Sequence, residues 1–254
     1  MTPTTNRSPL LIALPSTVTL LGVLGGFLCL VWAPTQPYWA ACAIIGASLC
    51  DMIDGRIARL TNTSSAFGVQ LDSLADLASF GIAPAFLIYH WALVPPGTAD
   101  APAILPVLPA FLFVAACAIR LARFNLGQSD TNKPGGDDPG FFIIGLPTPV
   151  AALFLTTLSM TEREVGLDWL RNPALLIALA LLLSVLMVSR IPFPSYKRFK
   201  SRARQLAFFA AIVSGLTLLI AGGPGGTVLF ALMVAYVVVG SALALVNKPR
   251  LTLL

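Results

Sequence analysis

The sequence predicts an all-α fold, a polytopic membrane bundle of about eight transmembrane helices with both termini in the cytoplasm. Three observations carry that expectation. Apolar residues make up 57% of the 254 residues and charged residues only 11%, with a mean hydropathy of +0.85. A soluble domain carries about 25% charged residues, so a water-facing surface cannot be assembled from this composition. The apolar residues fall in long runs, not in the alternating segments of about ten residues that build an outer-membrane barrel. The bases, finally, are shared very unequally between alternate loops. A soluble enzyme, a disordered chain and a secreted disulfide scaffold are all excluded.

Taken in order, the spans lie near 10–33, 38–59, 66–94, 104–126, 141–160, 170–189, 204–222 and 226–246. Turn-forming residues separate them: Pro34 and Pro37, Pro95-Pro96-Gly97, the stretch from Lys133 to Gly140, Pro192 and Pro194, and Gly222-Gly223-Pro224-Gly225. The first run follows a single base, Arg7, and no small-residue cleavage site, so it reads as a retained span rather than a removed signal peptide. Residues 1–254 read as one integral-membrane domain, with its last two spans over 204–246.

Counting bases tests the orientation. With the N-terminus inside, the cytoplasmic side receives Arg7, Arg56, Arg59, Arg120, Arg123, Lys133, Arg190, Lys197, Arg198, Lys200, Arg202, Arg204, Lys248 and Arg250, and the other side only Arg163 and Arg171. That split supports an even number of spans. The net charge of +5 is then explained by basic cytoplasmic loops, and no nucleic-acid partner is expected. Cys29, Cys42, Cys50 and Cys117 form no CxxC pair and read as small apolar residues. Gly22, Gly25 and Gly26 read as a close helix-packing face, which is also a candidate dimer surface.

The second span departs from this pattern, because its clean apolar part, Tyr38 to Cys50, is short and acids follow within the same helical stretch. Asp51 and Asp54 are spaced i,i+3, and Asp72 and Asp76 i,i+4, so each pair shares one helix face. Acids inside a membrane are costly and mark functional sites. Between the pairs, Thr-Asn-Thr-Ser-Ser makes a helix break and N-cap. A hairpin of this kind points the two pairs at one another. Bare carboxylates would repel there, and hard divalent cations, Mg²⁺ or Mn²⁺ with Ca²⁺ as competitor, resolve the repulsion. Carboxylate-held Mg²⁺ in turn implies a phosphate-bearing substrate. Gly55 and Gly68 leave space for a bulky group, Arg59 can pair with a phosphate, and Ser65 sits at a helix start that favours anions.

The segment DMIDGRIARLTNTSSAFGVQLDSLAD places Asp51, Asp54, Gly55, Ala58, Arg59, Gly68, Asp72 and Asp76 in one pattern. It resembles the signature of the CDP-alcohol phosphatidyltransferases at every position, and its chance occurrence is on the order of 10⁻¹⁰ per start site. LASFGIAPA (Leu77 to Ala85), RLARFN (Arg120 to Asn125), GLPTP (Gly145 to Pro149) and LMVSRIPFPSYK (Leu186 to Lys197) are similar to the phosphatidylserine synthase branch. In the first span this chain has Pro15-Ser16 where the family often has Pro-Asn.

The resemblance implies transfer of a phosphatidyl group from CDP-diacylglycerol to L-serine, releasing CMP. It implies two divalent ions, Mg²⁺ or Mn²⁺, held among Asp51, Asp54, Asp72 and Asp76, with Asp76 also the catalytic general base. Gly55, Arg59 and Ser65 would hold the CDP moiety. Arg120 and Arg123, i,i+3 on one face, would offer one base to the serine carboxylate or a phosphate, supported by Asn125. A homodimer is the expected assembly, and a bacterial cytoplasmic (inner) membrane with the site facing the cytoplasm the expected location.

Plainer readings stand beside these. The aspartates would form an ion-pair network with Arg56 and Arg59. Ser65 would be only a helix cap, Arg120 and Arg123 only topology-setting bases, and Asn125 only a C-cap. His90 reads as interfacial, and Lys197 to Arg204 as an anchor for anionic lipid. Glycerol 3-phosphate, an inositol phosphate or choline are alternative acceptors. An ion or metal transporter is the remote alternative, and it would need polar residues along a whole transmembrane path.

Overall fold

A computed structural model describes residues 9–61, 65–94, 104–130, 142–194 and 202–246. Among these residues the helices are α1 (Pro9–Trp32), α2 (Pro37–Thr61), α3 (Ala66–Asp76), α4 (Ala83–Ile88), α5 (Ile104–Asp130), α6 (Thr148–Val165), α7 (Pro173–Val188), α8 (Arg202–Ile220) and α9 (Gly225–Val246). Two π-helical stretches, Leu77–Ile82 and Tyr89–Leu93, fuse α3 and α4 into one rod. The described residues thus make the eight rods that the apolar runs predict. Leu14–Trp32, Phe67–Leu93, Pro106–Leu126 and Gly225–Leu243 are long and apolar enough to cross a bilayer, and Pro173–Val188 and Ala210–Ile220 are shorter apolar helices. The fold is that of a helical membrane protein.

One expected boundary needs correction. The fifth span was expected at 141–160, but its helix starts only at Thr148 and runs on to Val165. Phe142–Ile144 instead forms a strand, β1, antiparallel to β2 (Pro192–Pro194), with Ile143 opposite Phe193. The cause lies in Gly145-Leu146-Pro147-Thr148-Pro149. Gly145 takes a φ of +77°, and the Gly145 and Leu146 amides donate to the carbonyls of Ile191 (2.9 Å) and Leu186 (3.0 Å). A helix that includes Pro149 can begin only where proline falls in its first turn. The third rod is also not uniformly α-helical. The Ala83 amide reaches back five residues to the Ala78 carbonyl, and the Val94 amide to that of Tyr89 at 3.0 Å.

The glycines of α1 set the spacing of the first three rods. A Cβ on Gly25 would stand 2.8 Å from the Ala43 carbonyl of α2, and one on Gly26 2.8 Å from Ser79 Oγ. Ser79 lies in the first π stretch, and its hydroxyl donates to the Gly22 carbonyl at 3.1 Å. This glycine face is therefore engaged within the chain, which corrects its reading as a dimer surface. The cysteines are free, with Cys29 and Cys117 buried, as expected.

The last span belongs to the main core. Met233 and Val237 of α9 are buried with Phe113, Leu155 and Phe193, and Phe230 packs edge-on to Phe154 of α6 at 5.2 Å. At the other end Glu164 of α6 accepts hydrogen bonds from the Gly226 and Thr227 amides (3.0 and 2.8 Å) and from the Thr227 hydroxyl (2.8 Å). A carboxylate thus caps the start of α9, where unsatisfied amides and the helix dipole favour negative charge.

These contacts predict a contrast between two glycines. Gly25→Val drives a side chain into the α2 backbone and should destabilise the protein by about 1–3 kcal/mol. Gly46→Ala meets nothing within 4 Å and should be neutral or stabilising by up to about 1 kcal/mol. Thermal unfolding of the two variants in detergent checks the pair; equal melting points would refute the packing role of Gly25.

Candidate active site

The site forms where α2 ends and the third rod begins. Helix α2 does not stop with its apolar part but continues through Asp51 and Asp54 to Thr61. The next helix starts after Ser65, whose extended backbone and Oγ, accepting from the Gly68 amide at 3.0 Å, make it an N-cap. The cap is the one the sequence predicts, while residues 62–64 of the predicted break lie outside the described residues. The end of α2 and the start of the third rod are brought together because both pack on α1.

One carboxylate oxygen from each of Asp51, Asp72 and Asp76 lies within 4.8 Å of the other two. Oxygens across a shared Mg²⁺ are at most about 4.2 Å apart and across Ca²⁺ about 5 Å, so this separation suits a common hard cation after small side-chain adjustment. Asp54 is not one of the three, but it lines the same pocket, together with Thr19, Gly22, Ala47, Ala75, Ser79 and Phe80. It is 4% exposed, and its Oδ2 is buried without a hydrogen-bond partner among the described residues. A buried carboxylate oxygen in that position is costly unless a cation or proton compensates it. The donor set, all oxygen and all carboxylate, fits a divalent ion.

Two wall residues of the pocket, Thr19 and Ser79, were not among the expected site residues. Thr19 of α1 donates its hydroxyl to the Pro15 carbonyl at 3.0 Å, one turn back, and faces Asp54. Ser79 follows Asp76 by three residues on the rod and is 2% exposed. An i,i+3 spacing from Asp76 was the available signal for Ser79; nothing in the sequence marked Thr19.

The remaining expected residues divide. Gly55 stands next to Asp54 in α2, and Arg59 belongs to the same helix, though its side chain lies outside the described residues. Arg120 of α5 approaches the aspartates closely enough for its charge to act on Asp76, and its Nη1 donates to Thr148 Oγ1 at 2.8 Å. Arg123 points elsewhere, with Nη2 donating to the Val188 carbonyl at 2.7 Å and to that of Met187 at 3.3 Å. Asn125 exchanges hydrogen bonds with Ser73, beside Asp72: its Nδ2 donates to Oγ at 2.9 Å and its Oδ1 accepts at 3.1 Å. The side chains from Lys197 to Arg204 lie outside the described residues. His90 sits far from the aspartates, 4.3 Å from the Phe86 ring and in a pocket with Tyr38, Glu162 and Arg163 near the start of α2.

Among curated proteins, the chain is 34% identical over 187 residues to a CDP-diacylglycerol–serine O-phosphatidyltransferase of Helicobacter pylori, covering 73% of each chain. A protein of the same name from Mycobacterium leprae is 30% identical over 215 residues, 84% of this chain and 68% of its own. The Bacillus subtilis protein of that name is 38% identical over 151 residues, 58% and 70% respectively. The model of the CDP-alcohol phosphatidyltransferases matches residues 12–246, leaving only the two ends of the chain outside it, and the protein is a member of that family.

Proposed function

We propose that this protein transfers the phosphatidyl group of CDP-diacylglycerol to the hydroxyl of L-serine, yielding phosphatidylserine and CMP. The observation that carries the reading is the convergence of Asp51, Asp72 and Asp76 at one end of the bundle, with Asp54 buried beside them. The names of the relatives support serine as acceptor. Asp51, Asp54, Asp72 and Asp76 would hold two divalent ions, Mg²⁺ or Mn²⁺. When bound, such ions neutralise a pyrophosphate and the charge that develops on the leaving phosphate.

The chain's own residues do the rest. Asp76 takes the proton from the serine hydroxyl as its oxygen bonds to the phosphatidyl phosphorus and the bond to CMP breaks. No covalent intermediate is required. Gly55 gives the nucleotide close access to α2, Arg59 pairs with its phosphate, and the amides of the Ser65-capped helix favour the same anion. Arg120 receives the serine carboxylate next to Asp76. Arg123, tied to the carbonyls that end α7, clasps α5 to α7, and Asn125 steadies the Asp72 turn through Ser73. The whole chain acts as one catalytic domain. Its site faces the cytoplasm of a bacterial inner membrane, which the excess of bases on that side supports. The functional unit is a homodimer, joined elsewhere than along the α1 glycine face, and native mass spectrometry should find twice the 26.8 kDa of one chain.

Purified protein given CDP-diacylglycerol, Mg²⁺ or Mn²⁺ and serine should release CMP. Glycerol 3-phosphate, an inositol phosphate and choline should give far less, and release with one of them alone would transfer the assignment to that acceptor. Chelation should abolish release and either metal restore it. Asp76→Asn should lower kcat by about 10²–10⁴-fold without unfolding the protein, as loss of a general base does. Arg120→Ala should raise KM for serine about tenfold, whereas Arg123→Ala should cost about 1.5–3 kcal/mol of thermal stability and leave that KM within twofold.

A further inference from the structure

The Gly145–Pro149 turn lies outside the segment that carries the aspartates, yet it delivers one side chain to Arg120. Thr148 is fully buried, and its Oγ1 accepts from Arg120 Nη1 at 2.8 Å. The turn holds Thr148 rigidly. Gly145 has a φ of +77°, its missing Cβ would overlap the Met187 carbonyl, and the two amides before Pro147 are bonded to the last turn of α7 (Leu186) and to Ile191 just beyond it. Pro147 and Pro149 flank the threonine and restrict its backbone. Such a residue cannot drift to follow its partner, so it is the arginine that is located by the threonine.

The guanidinium is planar, so fixing one nitrogen largely fixes the plane. Thr148 takes Nη1. The opposite edge, Nε with Nη2, is the one that binds a carboxylate side-on in two parallel hydrogen bonds. Nε of Arg120 is buried and has no hydrogen-bond partner among the described residues, an expensive condition for a charged group that an arriving carboxylate would relieve.

We propose that Thr148 is a positioning residue that sets the Nε edge of Arg120 toward the carboxylate of an amino-acid acceptor, beside Asp76. The inference rests on the reading of Arg120 given above and extends it to acceptor selectivity. A threonine hydroxyl in the turn, by rotating one guanidinium, favours a carboxylate-bearing alcohol over one that carries none.

Thr148→Val keeps the shape and removes the hydroxyl, while Thr148→Ser keeps the hydroxyl and removes a methyl group. Steady-state CMP release should show Thr148→Val raising KM for serine about tenfold, with kcat and KM for CDP-diacylglycerol within twofold of the parent. Thr148→Ser should restore KM for serine to within threefold. Equal behaviour of the two variants, a fall in kcat alone, or an unchanged KM for serine in Thr148→Val would overturn the proposal. If Arg120→Ala leaves KM for serine unchanged, the assignment of Arg120 itself fails and this inference with it. If Arg120→Ala raises that KM and Thr148→Val does not, only the role of Thr148 fails.

Discussion

Mutual repulsion among carboxylates in a poorly hydrated place is the constraint on which the rest of this structure depends. Three acids with oxygens inside 4.8 Å, and a fourth buried next to them, would not be gathered by apolar packing alone. Packing has to hold them together while a counter-charge offsets the cost of their approach. The surrounding architecture makes sense as the means of holding them. A helix that overruns its apolar part carries two acids, and a second helix, capped by Ser65, carries the other two. One cation of the protein itself, Arg120, stands at the edge of the group and takes its place from another segment.

Precision in that place comes from α1, which contributes no acid. Its glycines bring α2 and the first π stretch so close that a single added carbon would strike backbone or Ser79. The acids of two different helices are therefore indexed to one common rod. The hydroxyl of Ser79 on the Gly22 carbonyl locks the same junction from the other direction. Close packing of small residues is the ordinary way for membrane helices to adhere where the hydrophobic effect gives no drive. Here it doubles as the alignment of a reaction centre.

Much of this was legible in the residues, for identifiable reasons. The eight rods follow from long apolar runs, a signal that averages over many residues and tolerates local error. The hairpin was legible because Asp51, Asp54, Asp72 and Asp76 are expensive in a membrane and stand at helical spacings around an evident cap. What escaped was set by contacts distant in the chain. Thr148 matters through Arg120, Asn125 through Ser73, and Arg123 through carbonyls some 65 positions later. No periodicity records such pairings. The start of α6 was misplaced because Phe142 to Ile144 is as apolar as a span, and only its partner strand shows that it is extended. The π turns left no compositional trace.

Those turns change how the third rod must be read. Each ring closed over five residues rather than four takes in one residue more, and one residue of an α-helix is about 100° of rotation. The stretch from Leu77 to Ile82 therefore shifts the phase between Asp76 and everything beyond it. Ala83 and Leu87, which are buried against α1 and α2, would be wheeled toward a different neighbour if the same residues wound as plain α-helix. Deleting a single residue there would preserve every acid and every apolar run, yet turn one half of the rod against the other like a misaligned key.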